Sequence, residues 1–262
     1  MQRPRPVALS VAGSDSGGGA GVLADAAAFR REGVWATIAI TAVTAQNTLG
    51  VTRVDVLEPA LVRAQIDAVV SDIGVDAVKT GMLGSAAVAA TVADALAGVG
   101  PLVVDPVLRS SSGAALLDDA GLDVYRRRLL PLAVLVTPNL AEAAALTGLA
   151  VSDRRGMAAA GEALLAMGAG AALVTGGHLP GDAVADCLVT RERTWWWDAP
   201  RLASPHTHGT GCVLSAAITA RLARGDTLAA AVRVGRAAVR RAIRAGLGFG
   251  SGVGPVDPGG RP

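Results

Sequence analysis

Short runs of apolar residues alternate with longer segments rich in alanine and leucine along most of the chain. The short runs match buried parallel strands, and the longer segments match the helices that follow such strands in repeated βα units. Strands are predicted at residues 7–13, 35–41, 76–81, 101–106, 133–139 and 169–177. Helices are predicted at residues 20–31, 59–73, 86–96, 140–148, 212–224 and 227–245. The pattern therefore indicates an α/β fold with a parallel sheet covered by helices.

The segment 186–199 departs from this pattern because it predicts an antiparallel hairpin containing Trp195, Trp196 and Trp197. Consecutive residues of a strand point to alternate faces, so the three indoles cannot all enter one core. We expect this hairpin to form an edge of the sheet or a contact with a second subunit.

Polar and glycine residues gather where the predicted strands end. Right-handed crossovers place the carboxyl ends of parallel strands at one edge of the sheet, where ligands bind in open α/β folds. The residues at this edge are 13–21, Gln46, Met82, Asp105, Asn139, Glu142 and 176–178. The sequence therefore predicts a ligand site there.

Composition agrees with the pattern and limits the class of protein. The chain has 262 residues, 51% hydrophobic and only 3% aromatic, which suits one domain spanning residues 1–262. The formal net charge is +2, and the densest basic run, Arg126, Arg127 and Arg128, is interpreted as a solvated helix face, so no nucleic-acid binding is expected. The apolar runs are too short for a signal peptide or a membrane span, which predicts a cytoplasmic protein without membrane contact.

The first predicted strand runs into a glycine-rich loop, AGSDSGGGAGVLAD, at residues 12–25. Glycines between a strand and a helix admit a ligand close to backbone N–H groups. The loop lacks the lysine of a Walker A motif. The next acid, Glu32, falls inside the predicted helix, which argues against a nicotinamide-dependent oxidoreductase. A ligand loop and a structural tight turn both stay open.

Asn139 and Glu142 lie three residues apart, where a strand ends and a helix begins. A carboxylate and an amide in this position suit a hydrated Mg²⁺ that also binds substrate phosphates. The same pair resembles a capping box, in which the two residues only close the helix end. The spacing does not choose between the two interpretations.

The stretch HGTGC, residues 208–212, places two glycines directly before a predicted helix. Free backbone N–H groups and the positive end of the helix suit an anion such as a transferred phosphoryl group. The same field is expected to lower the pKa of the Cys212 thiol. The alternative is that Cys212 is a small buried hydrophobic residue.

The other cysteine and the histidines are interpreted more simply. Cys187 lies in an apolar strand, and neither cysteine has the spacing of a disulfide framework or a zinc site. His178, His206 and His208 are expected to form hydrogen bonds in loops rather than to bind a metal.

Several ordered motifs together resemble those of a known family. They are AGSDSGGGAG, TAVTAQNT, VKTGML, DPV…SSG, TPNLAEAAAL, GGHL, THGTGC and GVGP, and they extend over nearly the whole chain. In this order they resemble the hydroxymethylpyrimidine/phosphomethylpyrimidine kinases of thiamine biosynthesis. The resemblance implies a ribokinase-like three-layer sandwich. It also implies ATP- and Mg²⁺-dependent phosphorylation of 4-amino-5-hydroxymethyl-2-methylpyrimidine and of its monophosphate, by an enzyme that forms a homodimer.

The resemblance also implies roles for individual residues. The substrate-binding residues would be Gly13, Gly19, Ala20, Asp25, Gln46, Met82 and Val107. The nucleotide-binding residues would be Asn139, Thr175, Gly177, His178 and Thr207. Asp105 and Glu142 would hold the metal. The catalytic residues would be Gly209, Thr210 and Gly211 as the anion hole and Cys212 as the base.

One position departs from the family. Where similar chains read KGGH, this chain reads TGGH, so the lysine expected near the nucleotide phosphates is Thr175. Arg109 or the metal are the candidates for compensating the lost charge. A pyrimidine-binding homologue that has lost catalysis is therefore kept as an alternative. A pyridoxal kinase is a second alternative, because related folds phosphorylate the similar hydroxymethyl group of a pyridine.

Overall fold

The protein forms a layered α/β structure in the computed structural model, which describes residues 4–109, 113 and 116–260. The strands are β1 (Val7–Ala12), β2 (Trp35–Ile40), β3 (Ala42–Asn47), β4 (Gly50–Val56), β5 (Ala77–Thr80), β6 (Leu102–Val104), β7 (Ala133–Val136), β8 (Ala171–Thr175), β9 (Ala183–Thr190), β10 (Thr194–Pro200), β11 (His206–His208) and β12 (Gly254–Pro255). The helices are α1 (Gly21–Arg31), α2 (Pro59–Ala68), α3 (Ala86–Leu96), α4 (Asp119–Val124), α5 (Leu140–Thr147), α6 (Arg154–Ala166), α7 (Thr210–Ala223) and α8 (Leu228–Arg244).

Eight strands form the central sheet in the order β10-β9-β8-β7-β6-β5-β1-β2. The six strands from β8 to β2 pair in parallel, and the β9–β10 hairpin adds two antiparallel strands at one edge. The predicted parallel sheet and the predicted edge hairpin are both confirmed.

Helices cover both faces of this sheet. On one face, alternate residues of the strands pack with α2, α3, α5 and α6. On the other face, the intervening residues pack with α1, α7 and α8. The strands of the centre are buried on both sides, as β1 is along its whole length, which explains their continuous apolar runs. The predicted three-layer arrangement is confirmed.

The three tryptophans of β10 divide between the two faces. Trp195 and Trp197 pack against the cluster on the α7–α8 side, while Trp196 packs against the cluster that contains α6. An arginine side chain stacks on each indole ring. The hairpin prediction therefore holds, and packing within the chain already covers much of each ring.

Strands β3, β4, β11 and β12 and helices α4 and α6 were absent from the sequence prediction. Strands β3 and β4 form a separate two-stranded antiparallel sheet beside β2, and α6 begins at an Asp153 cap whose side chain accepts from the Gly156 N–H. Helix α7 begins at Thr210, two residues before the predicted start. The predicted helix 59–73 is α2 extended by a π-helical turn, Val69–Ile73. None of the described helices has the length and apolarity needed to cross a bilayer.

Candidate active site

The carboxyl ends of the central strands bring together most of the predicted site residues. Asp105 directly follows β6, and its backbone lies between those of Thr80 at the end of β5 and Thr137 after β7. Helices α1 and α7 pack against each other and against β1 and β5. The N-termini of both helices follow loops at this edge, so their positive ends converge there.

The glycine loop between β1 and α1 is held against the small sheet. The Ser14 N–H donates to the Ala42 carbonyl, and the Ser16 hydroxyl donates to the Gln46 carbonyl at 2.7 Å. The Gly13 N–H donates to the Met82 carbonyl at 3.1 Å. The hairpin that the sequence analysis missed therefore places Gln46 beside the predicted substrate loop.

At Gly13 and Gly19 the backbone of the glycine loop packs directly against neighbouring side chains. A Cβ at Gly13 would lie 3.1 Å from the Met82 sulfur. A Cβ at Gly19 would lie 2.6 Å from the His208 ring. Gly13, Gly19, Gln46 and Met82 thus share one region, as predicted, and Ala20 caps the start of α1 next to them.

The anion loop before α7 packs against the glycine loop. Gly209 has a φ of +88°, and a Cβ there would lie 1.9 Å from the Gly19 carbonyl oxygen, so only glycine fits. The backbone N–H of Gly21, the first residue of α1, donates to the Cys212 thiol. The predicted anion-hole residues Gly209, Thr210 and Gly211 therefore lie at the end of α7 that faces α1.

The predicted lowering of the Cys212 pKa is wrong for the ligand-free site. Burial raises the pKa of this thiol to about 12, although the nearby Lys79 ammonium and the Gly21 N–H favour the thiolate. Desolvation disfavours the charged form more than the helix end and one cation favour it. Cys212 is only partly exposed and is a neutral thiol near pH 7. The prediction that Cys187 is structural agrees with its complete burial in the core.

Asp25 lies under the pocket rather than on its wall. Its carboxylate is fully buried and accepts hydrogen bonds from the Lys79 ammonium at 2.8 and 3.0 Å and from the Ser10 hydroxyl at 2.6 Å. The predicted direct contact of Asp25 with substrate does not fit this geometry, because both oxygens are already bonded to the protein.

Lys79 is a site residue that the sequence analysis missed. Its ammonium is also fully buried and lies 3.7 Å from a carboxylate oxygen of Asp105. Burial opposes its charge, but Asp25 holds its pKa above the ordinary value, with smaller contributions from Cys212 and Asp105. The signal was the lysine in VKTGML, a charged residue within an apolar strand. Lys79 places a positive charge beneath Cys212.

Asn139 and Glu142 form the capping box that was one of the two interpretations. The Asn139 side chain accepts from the Glu142 N–H at 3.0 Å, and the Glu142 carboxylate accepts from the Asn139 N–H at 2.9 Å. The Leu108 N–H also donates to Glu142, which ties the loop after β6 to α5. The Glu142 carboxylate offers more lone pairs than these two hydrogen bonds use, so the capped helix end also has oxygen available for a metal.

Asp105 and Glu142 repel each other electrostatically. Burial and the Asp105 charge raise the pKa of Glu142 to about 8. Burial also raises the pKa of Asp105, although Lys79 and the Ser215 hydroxyl oppose this shift. Because its pKa is about 8, Glu142 holds a proton near pH 7, and a cation bound to both carboxyl groups would displace this proton.

Buried hydroxyls flank Asp105. Within the described part of the chain, neither the Thr80 nor the Thr137 hydroxyl has a hydrogen-bond partner. These oxygen donors fit Mg²⁺, which needs only one or two carboxylates when it keeps waters and binds phosphates. No group of three or more metal-binding side chains occurs among the described residues.

The predicted nucleotide-binding residues lie around the end of β8. The Thr175 N–H donates to the Pro138 carbonyl at 2.9 Å, and Thr175 pairs with Asn139 through an isolated bridge. Gly177 and His178 are exposed in the loop after β8, and Thr207 is exposed in β11.

Arg201 organises the loop after β8 and was also missed. Its guanidinium donates to the carbonyls of Gly177, Leu179 and Gly181. Arg109, one candidate for replacing the missing lysine, is exposed and donates to the Gly113 carbonyl at 3.2 Å.

Val107 is half-buried in the loop after Asp105, where its N–H donates to the Asp105 carbonyl. The serines of the DPV…SSG motif, residues 110–112, lie outside the described residues. The structure therefore gathers most of the predicted site and moves Asp25 beneath it.

Comparison with known proteins agrees with this arrangement. The chain matches the family model described as phosphomethylpyrimidine kinase over residues 15–257. The chain belongs to this family. It is 51% identical to the hydroxymethylpyrimidine/phosphomethylpyrimidine kinase of Streptomyces coelicolor over 255 residues, which are 97% of this chain and 94% of that protein.

Two solved structures extend the comparison. The crystal structure of phosphomethylpyrimidine kinase from Clostridium difficile covers 91% of this chain and 100% of its own, with 37% identity and a TM-score of 0.81. The pyridoxal kinase from Staphylococcus aureus, in complex with AMP-PCP and pyridoxal, covers 98% of this chain and 94% of its own, with 30% identity and a TM-score of 0.91. The predicted ribokinase-like fold is confirmed, and this member of the phosphomethylpyrimidine kinase family is a phosphotransferase.

Proposed function

We propose that the protein transfers the γ-phosphoryl group of ATP to 4-amino-5-hydroxymethyl-2-methylpyrimidine and then to its monophosphate, in thiamine biosynthesis. The observation that carries this proposal is the convergence of the α1 and α7 N-termini on Cys212 in a chain that belongs to the phosphomethylpyrimidine kinase family. Two helix ends supply positive potential where phosphoryl transfer concentrates negative charge.

The substrate loop and Gln46 would orient the acceptor. The aminopyrimidine edge would bind the Gln46 amide, with the ring between Met82 and the backbone of Gly19 and Ala20. Val107 would close the pocket from the loop after β6. This position directs the hydroxymethyl group towards the N–H groups at the start of α7. Substrate binding thus holds the reactants together and lowers the entropic part of the barrier to reaction.

Cys212 would handle the proton of the acceptor hydroxyl. Because its thiol is protonated in the free site, it takes up this proton only while passing its own to a phosphate oxygen held at the same helix end. The hydroxyl loses its proton as its oxygen bonds to phosphorus, and the product phosphate receives the proton. Gly209, Thr210 and Gly211 would stabilise the charge in flight through their backbone N–H groups.

The nucleotide would lie along the loops after β7 and β8. Asn139, Thr175, Gly177 and His178 line this side, with Thr207 opposite. Mg²⁺ held by Asp105 and Glu142 would neutralise phosphate charge when bound. This division follows from the positions of the strand ends, since substrate loop and nucleotide loops lie on opposite sides of Asp105 in the sheet.

The deciding experiment is a substrate-resolved kinase assay. Purified protein is incubated with ATP, Mg²⁺ and the hydroxymethylpyrimidine, its monophosphate or pyridoxal, and the phosphorylated products are measured by mass. We expect kcat/KM to be higher for the pyrimidine than for pyridoxal. A marked preference for pyridoxal would refute the substrate assignment. Pyrimidine binding without ATP consumption would instead support a homologue that has lost catalysis through Thr175.

We also propose that the protein is a cytoplasmic homodimer. The exposed large apolar side chains support a contact at the β2 edge and the adjoining hairpin, where Trp35, Ile38, Val43 and Val56 are each at least 40% exposed. This edge replaces the tryptophan strand as the expected contact, because the indoles of β10 already pack within the chain. ATP supply places the activity in the cytoplasm.

A further inference from the structure

A buried histidine joins the two loops that meet at the candidate active site. His208, the last residue of β11, precedes the anion loop, and its Nε2 lies 2.8 Å from a carboxylate oxygen of Asp15. Asp15 belongs to the glycine loop and is only 2% exposed, while His208 is 9% exposed. Neither residue has a role in the function proposed above.

Asp15 organises the glycine loop through its own side chain. One carboxylate oxygen accepts from the Gly17 N–H at 2.8 Å, and the other accepts from the Ala20 N–H at 2.9 Å. Burial raises the pKa of Asp15, but the hydrogen bonds from His208, Gly17 and Ala20 outweigh burial and hold it below the ordinary value. Asp15 is therefore a carboxylate that only accepts hydrogen bonds.

The carboxylate fixes which nitrogen of His208 carries a proton. Since Asp15 accepts, Nε2 of His208 must donate. The Gln46 side-chain nitrogen lies 3.3 Å from the same Nε2, and a protonated nitrogen cannot also accept from it. The Gln46 amide therefore lies beside a histidine nitrogen that donates, and its own oxygen is the atom that can accept from this nitrogen.

Backbone contacts run alongside this hydrogen bond. A Cβ at Gly19 would strike the His208 ring at 2.6 Å and the Pro255 side chain at 2.8 Å. One residue further along, Gly209 lies against the Gly19 carbonyl. The imidazole therefore stands between the loop that would hold the pyrimidine and the helix end that would hold the phosphoryl group.

We propose that His208 is a positioning residue that fixes the substrate loop, through Asp15, at the distance from the anion hole that phosphoryl transfer requires. The inference rests on the proposed kinase activity. Removal of the hydrogen bond lets the acceptor hydroxyl move relative to the phosphoryl group, and small misplacements of reacting groups reduce rates strongly. The loops after β7 and β8, which would hold the nucleotide, follow strands on the far side of β6 from β1 in the sheet, so the KM for ATP is expected to change little.

Two near-isosteric variants test the geometry. In His208→Gln the amide nitrogen takes the place of Nε2 and still reaches Asp15, whereas in His208→Asn it takes the place of Nδ1 and does not. We expect His208→Asn to lower kcat about 10- to 100-fold and to raise the KM for the pyrimidine, with the KM for ATP unchanged. His208→Gln is expected to recover most of the lost kcat. Equal activity of both variants and the wild type would overturn the proposal.

A double-mutant cycle separates positioning from general destabilisation. Asp15→Asn removes an oxygen that accepts from both His208 and the Ala20 N–H, so its kinetic loss is expected to be at least as large as that of His208→Asn. The double variant is expected to lose little more than Asp15→Asn alone, because the bond between the two side chains is already absent. The matched control is Arg63→Met with Asp67→Asn, an exposed ion pair of 2.8 Å on α2, for which no kinetic change is expected. Additive losses of Asp15→Asn and His208→Asn would contradict a shared role.

A measurement without substrate separates this inference from the proposed function. The Nε2–H proton of His208 is expected to give a slowly exchanging, strongly downfield ¹H resonance that disappears in Asp15→Asn. If the wild type shows this resonance but no pyrimidine-dependent ATP consumption, the proposed function fails and the hydrogen bond between His208 and Asp15 stands. If the wild type is active and the resonance is absent, the proposed role of His208 is wrong.

Discussion

At the scale of single residues, Cys212 shows how two opposing effects decide the state of a side chain. The helix end and the Lys79 ammonium favour a thiolate, but burial prevails and the pKa is about 12. The sequence indicates the helix end but not the desolvation, because the burial of Cys212 depends on what packs against it from α1. A cysteine at a helix N-terminus is therefore not by itself a reactive thiolate.

This residue gives the first prediction. Cys212 in the ligand-free protein is expected to react slowly with iodoacetamide at pH 7, with a rate that increases about tenfold per pH unit up to pH 11, because only the thiolate reacts. Mass spectrometry of the modified peptide measures the rate, and the peptide containing Cys187 serves as the buried reference. A fast, pH-independent reaction above pH 7 would show that the thiolate is already formed.

Cys212→Ala tests the same residue in catalysis. We expect kcat to fall by about 10²- to 10⁴-fold, which is the range for loss of a proton-transfer group, with little change in the KM for ATP. Steady-state kinetics with the pyrimidine gives both values. Wild-type turnover in this variant would remove Cys212 from the proton path.

Gly209 gives a second residue-scale prediction. Gly209→Ala places a Cβ within 1.9 Å of the Gly19 oxygen at a φ of +88°, so we expect a loss of stability of about 2–4 kcal/mol and loss of turnover. Gly98→Ala is the matched control, since Gly98 has a φ of +78° with no atom near its Cβ, and it should cost only about 1 kcal/mol. Urea unfolding compares the two.

At the scale of secondary-structure elements, the start of α5 combines a structural and a chemical role. The capping box fixes Glu142 where the Asp105 charge and burial raise its pKa from 4.5 to about 8. The folded state binds this proton more tightly than the unfolded state, so its contribution to stability is complete below pH 4.5 and is lost as the pH rises through 8.

Glu142→Gln should remove that pH dependence. In EDTA, the free energy of unfolding of the wild type is expected to fall between pH 5 and pH 9 by on the order of 2 kcal/mol more than that of Glu142→Gln. Glutamine keeps an oxygen that accepts from the Asn139 N–H, so the helix cap is retained. Urea titrations at both pH values measure the difference, and parallel curves for the two proteins would contradict the raised pKa.

The buried ion pair between β5 and α1 is the second element-scale feature. Lys79→Met leaves the fully buried Asp25 carboxylate without its cation, so we expect a loss of about 3–5 kcal/mol. The exposed pair of Arg63 and Asp67 is the comparison, and Arg63→Met should cost less than about 1 kcal/mol. Chemical unfolding at pH 7 measures both, and a similar small loss for Lys79→Met would contradict the importance of the buried pair.

Local patterns predicted most elements but not the contacts between distant ones. The central strands and α3 were predictable because each carries its own apolar period, and α3 has the predicted bounds. The β3–β4 hairpin was missed because its strands are only partly buried and its apolar period is weak. The bonds from Lys79 to Asp25 and from His208 to Asp15 join positions far apart in the chain, which no local pattern encodes.

At the scale of the whole molecule, the two edges of the sheet differ in how far their apolar side chains are exposed. The β10 edge carries tryptophans that pack inward and are covered by arginines, whereas the β2 edge exposes Trp35 and Ile38. Exposed apolar edges of this kind are contact surfaces or aggregation hazards. This asymmetry supports association through β2 and the adjoining hairpin.

The dimer prediction follows from this edge. We expect a mass corresponding to two chains in analytical ultracentrifugation, and Ile38→Glu should shift the protein to a single chain because it places a charge in the apolar contact. Trp196→Phe on the opposite edge is the control and should leave the mass unchanged. A wild-type protein that sediments as one chain at micromolar concentration would contradict the proposed dimer.

The contact between Gly209 and Gly19 also limits how this enzyme can be altered. The anion loop and the glycine loop pack against each other at these two residues. A change in the backbone of one loop therefore requires a matching change in the other. If residues 206–212 alone were replaced by those of a relative with another substrate preference, the new loop would not pack correctly against the original glycine loop. A chimera should therefore exchange residues 13–21 and 206–212 together.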